Sequence, residues 1–245
     1  MTAFVLGLLD VLRQKRRALE DSLTRAGIAH TLSPARYRLH RAIARAIDEY
    51  ARGDCLDAGS GRSPYKQLLL ANGASLVSID VEDRAGQVDR IADLQDMPQI
   101  ADGSFDTIVC TQVLEHLPRP WQAVREMRRV LRPAGKLIVT VPHLSIIHEA
   151  PHDYYRFTCY GLKALCEQSD LEVIRLEPTG GLFSFLGHSA SLVLMCTVGA
   201  IPGMRWISWG LNYVFVRLIE LLDRCFGLPE LYPCDYLLVA RMRNG

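Results

Sequence analysis

The run Cys55-Leu56-Asp57-Ala58-Gly59-Ser60-Gly61 decides how this chain is read. Its first residues make a short strand, and the strand runs into a turn whose glycines allow backbone angles that a Cβ would block. Lys66 to Ala71 reads as a helix, so the turn lies between a strand and a helix, the context a ligand-cradling glycine loop requires. A dinucleotide fingerprint would carry a third glycine further on, but Arg62-Ser63-Pro64 follows instead. The Gly-Lys-Ser/Thr of a phosphate loop is also absent. A structural tight turn therefore stands as the alternative at this point.

Working outward, the acids lend the turn meaning. Ser75 to Asp80 reads as a second strand that ends in a carboxylate. An acid about twenty residues past a glycine turn is placed to accept both hydroxyls of a ribose. Asp93-Leu94 lies one short element later and suits an adenine, with the carboxylate on the amino group and the leucine against the ring. Asp102-Gly103-Ser104 is a turn, and Phe105 to Cys110 is a strand. Trp121 to Leu131 is a helix broken by Pro133-Ala134-Gly135, Lys136 to Val141 is a buried strand closed by Pro142, residues 160–169 are helical, and Leu171 to Leu176 is again a strand. Upstream, residues 34–51 carry amphipathic helix patterning, with Ser33-Pro34 as cap and first position. Alternating strands and helices joined by short loops predict a parallel sheet covered by helices on both faces, with ligands at the carboxyl ends of the strands.

Composition bounds the partners. The chain has 245 residues, 28 basic and 27 acidic, for a formal net charge of +1. So even a balance argues against nucleic-acid binding driven by bulk phosphate attraction. Hydrophobic residues make up 49%, which excludes disorder. The seven cysteines show no CxxC spacing, so neither a zinc ribbon nor a disulfide framework is expected, and reduced cytosolic thiols are. No internal repeat is found. Residues 3–20 read as a helix that is apolar first and basic afterwards, the reverse of a secretory signal.

Taken in order, Leu56-Asp57-Ala58-Gly59-Ser60-Gly61, Asp80, Ala92-Asp93-Leu94-Gln95-Asp96-Met97-Pro98, Asp102-Gly103-Ser104-Phe105-Asp106, Val113-Leu114-Glu115-His116-Leu117 and Arg129-Val130-Leu131-Arg132-Pro133-Ala134-Gly135 resemble a class I S-adenosylmethionine-dependent methyltransferase of the type 11 kind. The resemblance covers about residues 52–145. It implies an α/β, Rossmann-like, seven-stranded, mostly parallel sheet with helices on both faces and an antiparallel last strand; the residues of this chain add an apolar helical insertion before that strand, where the family has a close strand pair. It also implies S-adenosyl-L-methionine as cofactor, held by Asp57, Gly59 and Gly61 around its methionine part, by Asp80 at the ribose, by Asp93 and Leu94 at the adenine, and by Gln112 facing the methionine end. The spacing from Asp80 to Asp93 is short, so the usual intervening helix is expected to be trimmed or lost. The domain boundaries expected are N-terminal helices over 1–51, the donor-binding domain over 52–177 and 236–245, and the apolar insertion over 178–235.

The acceptor side is read from the histidines. In ubiquinone-pathway O-methyltransferases and small-RNA 2′-O-methyltransferases a Glu-x-x-Glu-His pattern at this place binds a divalent metal. Here Gln112-Val113-Leu114-Glu115-His116 lacks the first carboxylate, so no metal site is expected. His148-Glu149-Ala150-Pro151-His152 matches the zinc-protease string, but that string works only on a helix, and Pro151 opposes one. Pro151-His152-Asp153-Tyr154-Tyr155-Arg156-Phe157-Thr158 resembles a segment of methyltransferases from bacterial surface-polysaccharide and glycolipid pathways. Its donors and aromatics suit a sugar or phosphate-bearing acceptor, with His152 or Asp153 as catalytic base. A structural lid on the sheet is the alternative.

From Pro178 to Met204 there is no Asp, Glu, Lys or Arg, and Trp206 to Val216 is again uncharged. A single membrane crossing would put the flanking strands on opposite sides of a bilayer, so a surface-lying or re-entrant helical pair is the consistent option. A dimerisation surface, and a buried cap over the active site, are the other readings. The expected enzyme transfers methyl to a lipid-linked or membrane-proximal small-molecule or glycan acceptor. It would be cytoplasmic and peripheral on the inner face of the membrane. The alternatives are a soluble sugar nucleotide or small metabolite as acceptor, with the insertion making a homodimer, and a non-catalytic membrane adaptor on the same fold.

Overall fold

The computed structural model describes residues 22–23, 27–72, 75–83, 86–201 and 203–243. The helix expected over residues 3–20 lies outside them. The chain forms two compact units, one built from Arg41–Pro178 with the segment from Asp235 onward, the other from the described residues up to His40 with Thr179–Cys234.

The first unit holds a seven-stranded sheet: β1 (Cys55–Ala58), β2 (Leu76–Asp80), β3 (Arg90–Ile91), β4 (Phe105–Thr111), β5 (Leu131–Pro142), β6 (Leu171–Thr179) and β7 (Asp235–Met242), in the order β3-β2-β1-β4-β5-β7-β6. β1 pairs in parallel with both β2 and β4, and β7 runs antiparallel to β5. The order turns back between β1 and β4, which opens a crevice at the carboxyl ends of those strands. All four residues of β1 are buried, as a central strand covered on both faces requires. Helix α1 (Pro34–Tyr50) leads into this unit, α2 is Lys66–Ala71, α3 is Pro120–Val130 and α4 is Cys159–Glu167. Helix α3 starts on Pro120 and buries Ala123, Val124, Met127 and Val130, one stripe at helical spacing, in a core shared with Leu56, Ile79, Ile108, Leu137 and Leu238.

Pro133-Ala134-Gly135 does not stand between a helix and a later strand. Strand β5 begins at Leu131 opposite Phe105 and resumes at Lys136 opposite Thr107, so these residues are an outward bulge in the strand itself. The bulge is held because Ala134 sits at φ +65°, a Cβ on Gly135 would meet Leu131 and the Arg132 carbonyl, and the Arg132 guanidinium bonds Asp54 (2.8 Å) and Asp106 (2.5 Å). Between β2 and β3 the described residues contain no helix, as the short Asp80–Asp93 spacing foretold.

The second unit is a helical hairpin, α5 (Leu182–Thr197) and α6 (Arg205–Phe226). Its inner face mixes polar and apolar groups: Ser184, Gly187, Ser191, Ser208, Asn212, Glu220 and Asp223 are buried together with Met195, Val216 and Ile219. Asp223 accepts the Phe183 and Ser184 N–H groups at 3.0 Å each, capping α5 where its first N–H groups lack partners. Asn212 donates to the Thr31 and Leu32 carbonyls at 3.1 Å, and Trp209 Nε1 donates to Thr31 Oγ1 at 3.0 Å. Many large apolar side chains face outward, including Phe185, Leu186 and Val193 on α5 and Trp206, Ile207, Leu211, Val214, Leu218 and Leu221 on α6. No helix among the described residues is long and apolar enough to cross a membrane.

Candidate active site

The glycine turn at the end of β1 is held by β2. The Gly59 and Ser60 N–H groups donate to the Ile79 carbonyl at 2.9 and 3.0 Å, and the Gly61 N–H donates to Asp80 Oδ2 at 2.8 Å. Asp80 thus closes the turn with one oxygen, while its Oδ1 accepts, among the described residues, a long 3.3 Å contact from the Glu82 N–H. Two glycines do different jobs. Gly59, at φ +72°, faces Val113, whose Cγ2 would lie 2.5 Å from an added Cβ; Gly61, at φ +53°, has open space around it. The first glycine is needed for packing and angle, the second for angle and for an open approach to the main chain.

Asp57 is 4% exposed and accepts a 2.5 Å bond from Ser63 Oγ. Burial pushes its pKa up to about 6, the serine bond opposes the rise, and the Asp80 charge adds to it. Ser63 gained no role from sequence, yet its left-handed backbone (φ +45°) turns its hydroxyl onto the acid. The Ser-Pro pair after Gly61 was the visible signal.

Asp93 is exposed and its carboxylate accepts the Gln95 N–H at 2.8 Å and the Gln95 amide. Leu94 points inward: it is 2% exposed and its side chain packs in the sheet core. Gln112, directly after β4, adopts φ +56°, an unusual angle outside glycine. Its N–H donates to the Thr140 carbonyl at 2.9 Å, which ties the end of β4 to β5.

The loop after β5 departs most from expectation. Asp153 is not available as a base. Its side chain is 2% exposed, it accepts both Arg156 guanidinium nitrogens at 2.6 and 2.8 Å, and it accepts the His148 N–H at 2.8 Å. The guanidinium holds the carboxyl far below the usual carboxylate range, so it lacks proton affinity near neutrality. It organises the loop instead. His152 is exposed, with Nδ1 3.2 Å from the Tyr154 hydroxyl. Residues 148–152 form turns and no helix, which removes the protease reading.

Sequence also missed what the loop encloses. Glu115 is fully buried, and among the described residues neither of its carboxylate oxygens has a hydrogen-bond partner. Burial raises its pKa to about 8. His116 Nε2 lies 3.6 Å from Glu115 Oε1, and the His116 and His148 rings meet edge to face at 4.8 Å. The Glu115-His116 pair was legible; its closeness to His148 was not, because a loop carries the second histidine back.

Residues 56–139 match the family described as "Methyltransferase domain". The curated relative "Ubiquinone biosynthesis O-methyltransferase" of Xanthomonas oryzae pv. oryzae (strain PXO99A) is 31% identical over 124 residues, which are 45% of this chain and 50% of the relative. The chain thus spans about half the length of the curated relatives it matches. Among solved structures, an S-adenosylmethionine-dependent methyltransferase from Archaeoglobus fulgidus superposes with a TM-score of 0.55 at 18% identity, covering 83% of this chain and 93% of the other. The 4+2 cyclase SpnF superposes with a TM-score of 0.58 at 17% identity, covering 83% and 82%. One fold therefore carries more than one chemistry, and these likenesses speak for architecture. Residues 56–139, which carry the glycine turn and its acids, are thus similar to a methyltransferase domain, and the superposed structures share the architecture of the sheet.

Proposed function

We propose that this chain is an S-adenosylmethionine-dependent methyltransferase whose acceptor is an oxygen of a lipid-linked or membrane-proximal small molecule. The observation that carries the donor half is the turn from Asp57 to Gly61, closed by Asp80. Gly61 leaves the main chain open, a buried carboxylate lies at the start of the turn, and Asp80 presents a second oxygen, Oδ1, suited to a diol. Asp57 suits the cationic amino group of the donor, and Gln112 stands at the neighbouring strand end. Bound there, the donor supplies a methyl group on a sulfonium; the C–S bond breaks as the new bond forms, and sulfur leaves as a neutral thioether. The chain's own work is to orient the reactants and to take the acceptor's proton. Exposed His152 is the remaining candidate for that proton, now that Asp153 is engaged.

Two features support the acceptor half. The name of the curated relatives specifies O-methylation in ubiquinone biosynthesis, which favours oxygen over a glycan-specific reading. The hairpin of the second unit shows a broad apolar outer face while several polar side chains lie inside it, an arrangement suited to meeting lipid. Arg205, Arg217 and Arg224 flank its outward face and suit anionic headgroups. Calorimetric titration with S-adenosylhomocysteine tests the donor half. Micromolar binding that is lost in Asp80→Ala is expected, and no binding by a folded wild-type protein overturns it. A homodimer through the apolar face is the competing reading of the second unit. It predicts a dimer in detergent-free buffer and no co-sedimentation with vesicles.

A further inference from the structure

We infer that helix α6 lies flat on an anionic phospholipid surface, its apolar stripe among the acyl chains and its aromatic and basic flank at the level of the headgroups. This rests on the membrane-proximal reading of the second unit and adds to it the partner's charge and the direction of the helix axis.

The first observation is how the side chains are sorted around the helix. Ile207, Leu211, Val214, Leu218 and Leu221 recur at spacings of four and three, and each is more than half exposed. At about 100° per residue they fill a stripe about 80° wide. Trp206, Tyr213, Arg217 and Arg224 fall about 80–120° to one side of it. The Arg217 guanidinium donates to the Tyr213 hydroxyl at 3.3 Å, and the Arg205 guanidinium carbon stands 5.2 Å from the centre of the Trp206 ring. Rings with a polar edge and guanidinium groups on apolar stems are the groups that settle at a lipid–water boundary.

The second observation is charge. From Leu182 to Phe226 the sequence has two acids, Glu220 and Asp223, and three arginines. Both acids are 5% exposed, whereas Arg205, Arg217 and Arg224 are exposed. Glu220 accepts Arg217 Nε at 3.2 Å and the Arg224 guanidinium at 2.7 Å, so two cations share one carboxylate and stay net positive. Asp223 is turned inward onto the start of α5. The hairpin therefore turns cations and apolar groups outward and keeps its carboxylates inside, the complement of an anionic leaflet.

The third observation fixes the orientation. Arg205 and Trp206 stand at one end of α6 and Arg224 near the other, about 27 Å along the axis. An upright helix would push one of these ends into hydrocarbon, where a guanidinium is costly. A flat helix keeps both at the headgroups, and no helix among the described residues is long and apolar enough to cross. A second copy of the chain fits this face less well. The four-three spacing suits a helix–helix seam, but beside that seam Arg217 would face a leucine of the copy in a parallel pair, or the copy's own arginine-bearing edge in an antiparallel one. Neither supplies a carboxylate.

The experiment is quantitative co-sedimentation of the full-length protein with vesicles of phosphatidylcholine alone and of an equal mixture with phosphatidylglycerol. Binding to the mixed vesicles should be tighter by about tenfold or more. Arg205→Gln with Arg224→Gln should remove about tenfold or more of that binding, and it leaves Arg217 on Glu220 to spare the fold. Ile207→Glu and Leu221→Glu, at opposite ends of the exposed stripe, should each weaken binding by about tenfold or more. Loss at one end only overturns the flat orientation. Equal binding to neutral and anionic vesicles, or binding that survives both glutamate variants, overturns the docking surface. Sedimentation velocity in detergent-free buffer completes the test: a wild-type dimer that the glutamate variants split assigns the face to a second copy and overturns the inference. Calorimetry with S-adenosylhomocysteine on the same samples separates the readings. Donor bound without vesicle binding refutes only the docking surface, and vesicle binding without donor refutes only the methyltransferase reading.

Discussion

Gly59 and Gly61 look equivalent in sequence and are not equivalent in the fold. Gly59→Ala places a methyl group against Val113 as well as forcing a left-handed angle, whereas Gly61→Ala meets only the angle. The left-handed cost alone is about 1–2 kcal/mol. Chemical denaturation should therefore show Gly61→Ala losing about that much and Gly59→Ala losing clearly more, at least ~1 kcal/mol beyond it. Equal losses would mean that Val113 gives way freely.

Asp57 makes a pH prediction at the same scale. Its pKa is raised to about 6 in the folded chain, so the native state holds a proton that the unfolded chain releases earlier. Its contribution is present at low pH and is lost as pH rises from about 4 to 6, by roughly 2–3 kcal/mol at most. Asp57→Asn should flatten that part of the stability profile. A donor with a cationic amino group prefers the ionised acid, so S-adenosylhomocysteine affinity should rise from pH 5 to pH 7 in the wild type and stay level in the variant. Calorimetry across that range decides it.

At the level of elements, the hairpin α5–α6 inverts the usual pattern of a water-facing helix pair. An ordinary surface hairpin buries leucines and shows charge; this one buries Ser184, Ser191, Ser208, Asn212, Glu220 and Asp223 beside Met195, Val216 and Ile219, and shows Leu211, Val214, Leu218 and Leu221. Leu211→Glu with Leu218→Glu should abolish co-sedimentation with anionic vesicles. Both side chains are more than half exposed, so stability should move by no more than about 0.5 kcal/mol per site. Loss of stability by several kcal/mol would show instead that protein covers this face. Asp223→Ala is the contrasting change. It removes the cap on Phe183 and Ser184 and should cost about 1–2 kcal/mol by thermal melting.

For the whole molecule, the two units allow donor binding and surface contact to be read separately. Saturation with S-adenosylhomocysteine at a hundredfold excess over Kd should stabilise the chain by about 2.7 kcal/mol, roughly 5–10 °C in Tm. Asp80→Ala should lose that shift, and the double glutamate variant should keep it. A shift lost in both would tie the hairpin to the donor site.

Much of the fold was legible because its signals are local. A strand, two glycines, a helix and an acid at the end of the next strand lie within Cys55–Asp80, and their order alone implies a parallel sheet with a crevice at the strand ends. The apolar character of residues 178–204 was equally plain. Legibility stopped where contacts are long-range. Nothing in Leu131–Gly135 announces a strand bulge, since that depends on Arg132 meeting Asp54 and Asp106. Asp153 looked like a base because its partner Arg156 was read only as a neighbour in a polar loop.

Sequence by itself determined the α/β class, the glycine turn with its acids, and an apolar segment before the last strand, because periodicity, turn chemistry and charge spacing act over a few residues. Only the tertiary structure decided which polar groups lose water and which meet. It buried Asp57 against Ser63, stranded the Glu115 carboxylate beside two histidines, and turned the hairpin's serines inward and its leucines outward. Desolvation and convergence are properties of packing, and packing joins residues that the chain keeps far apart.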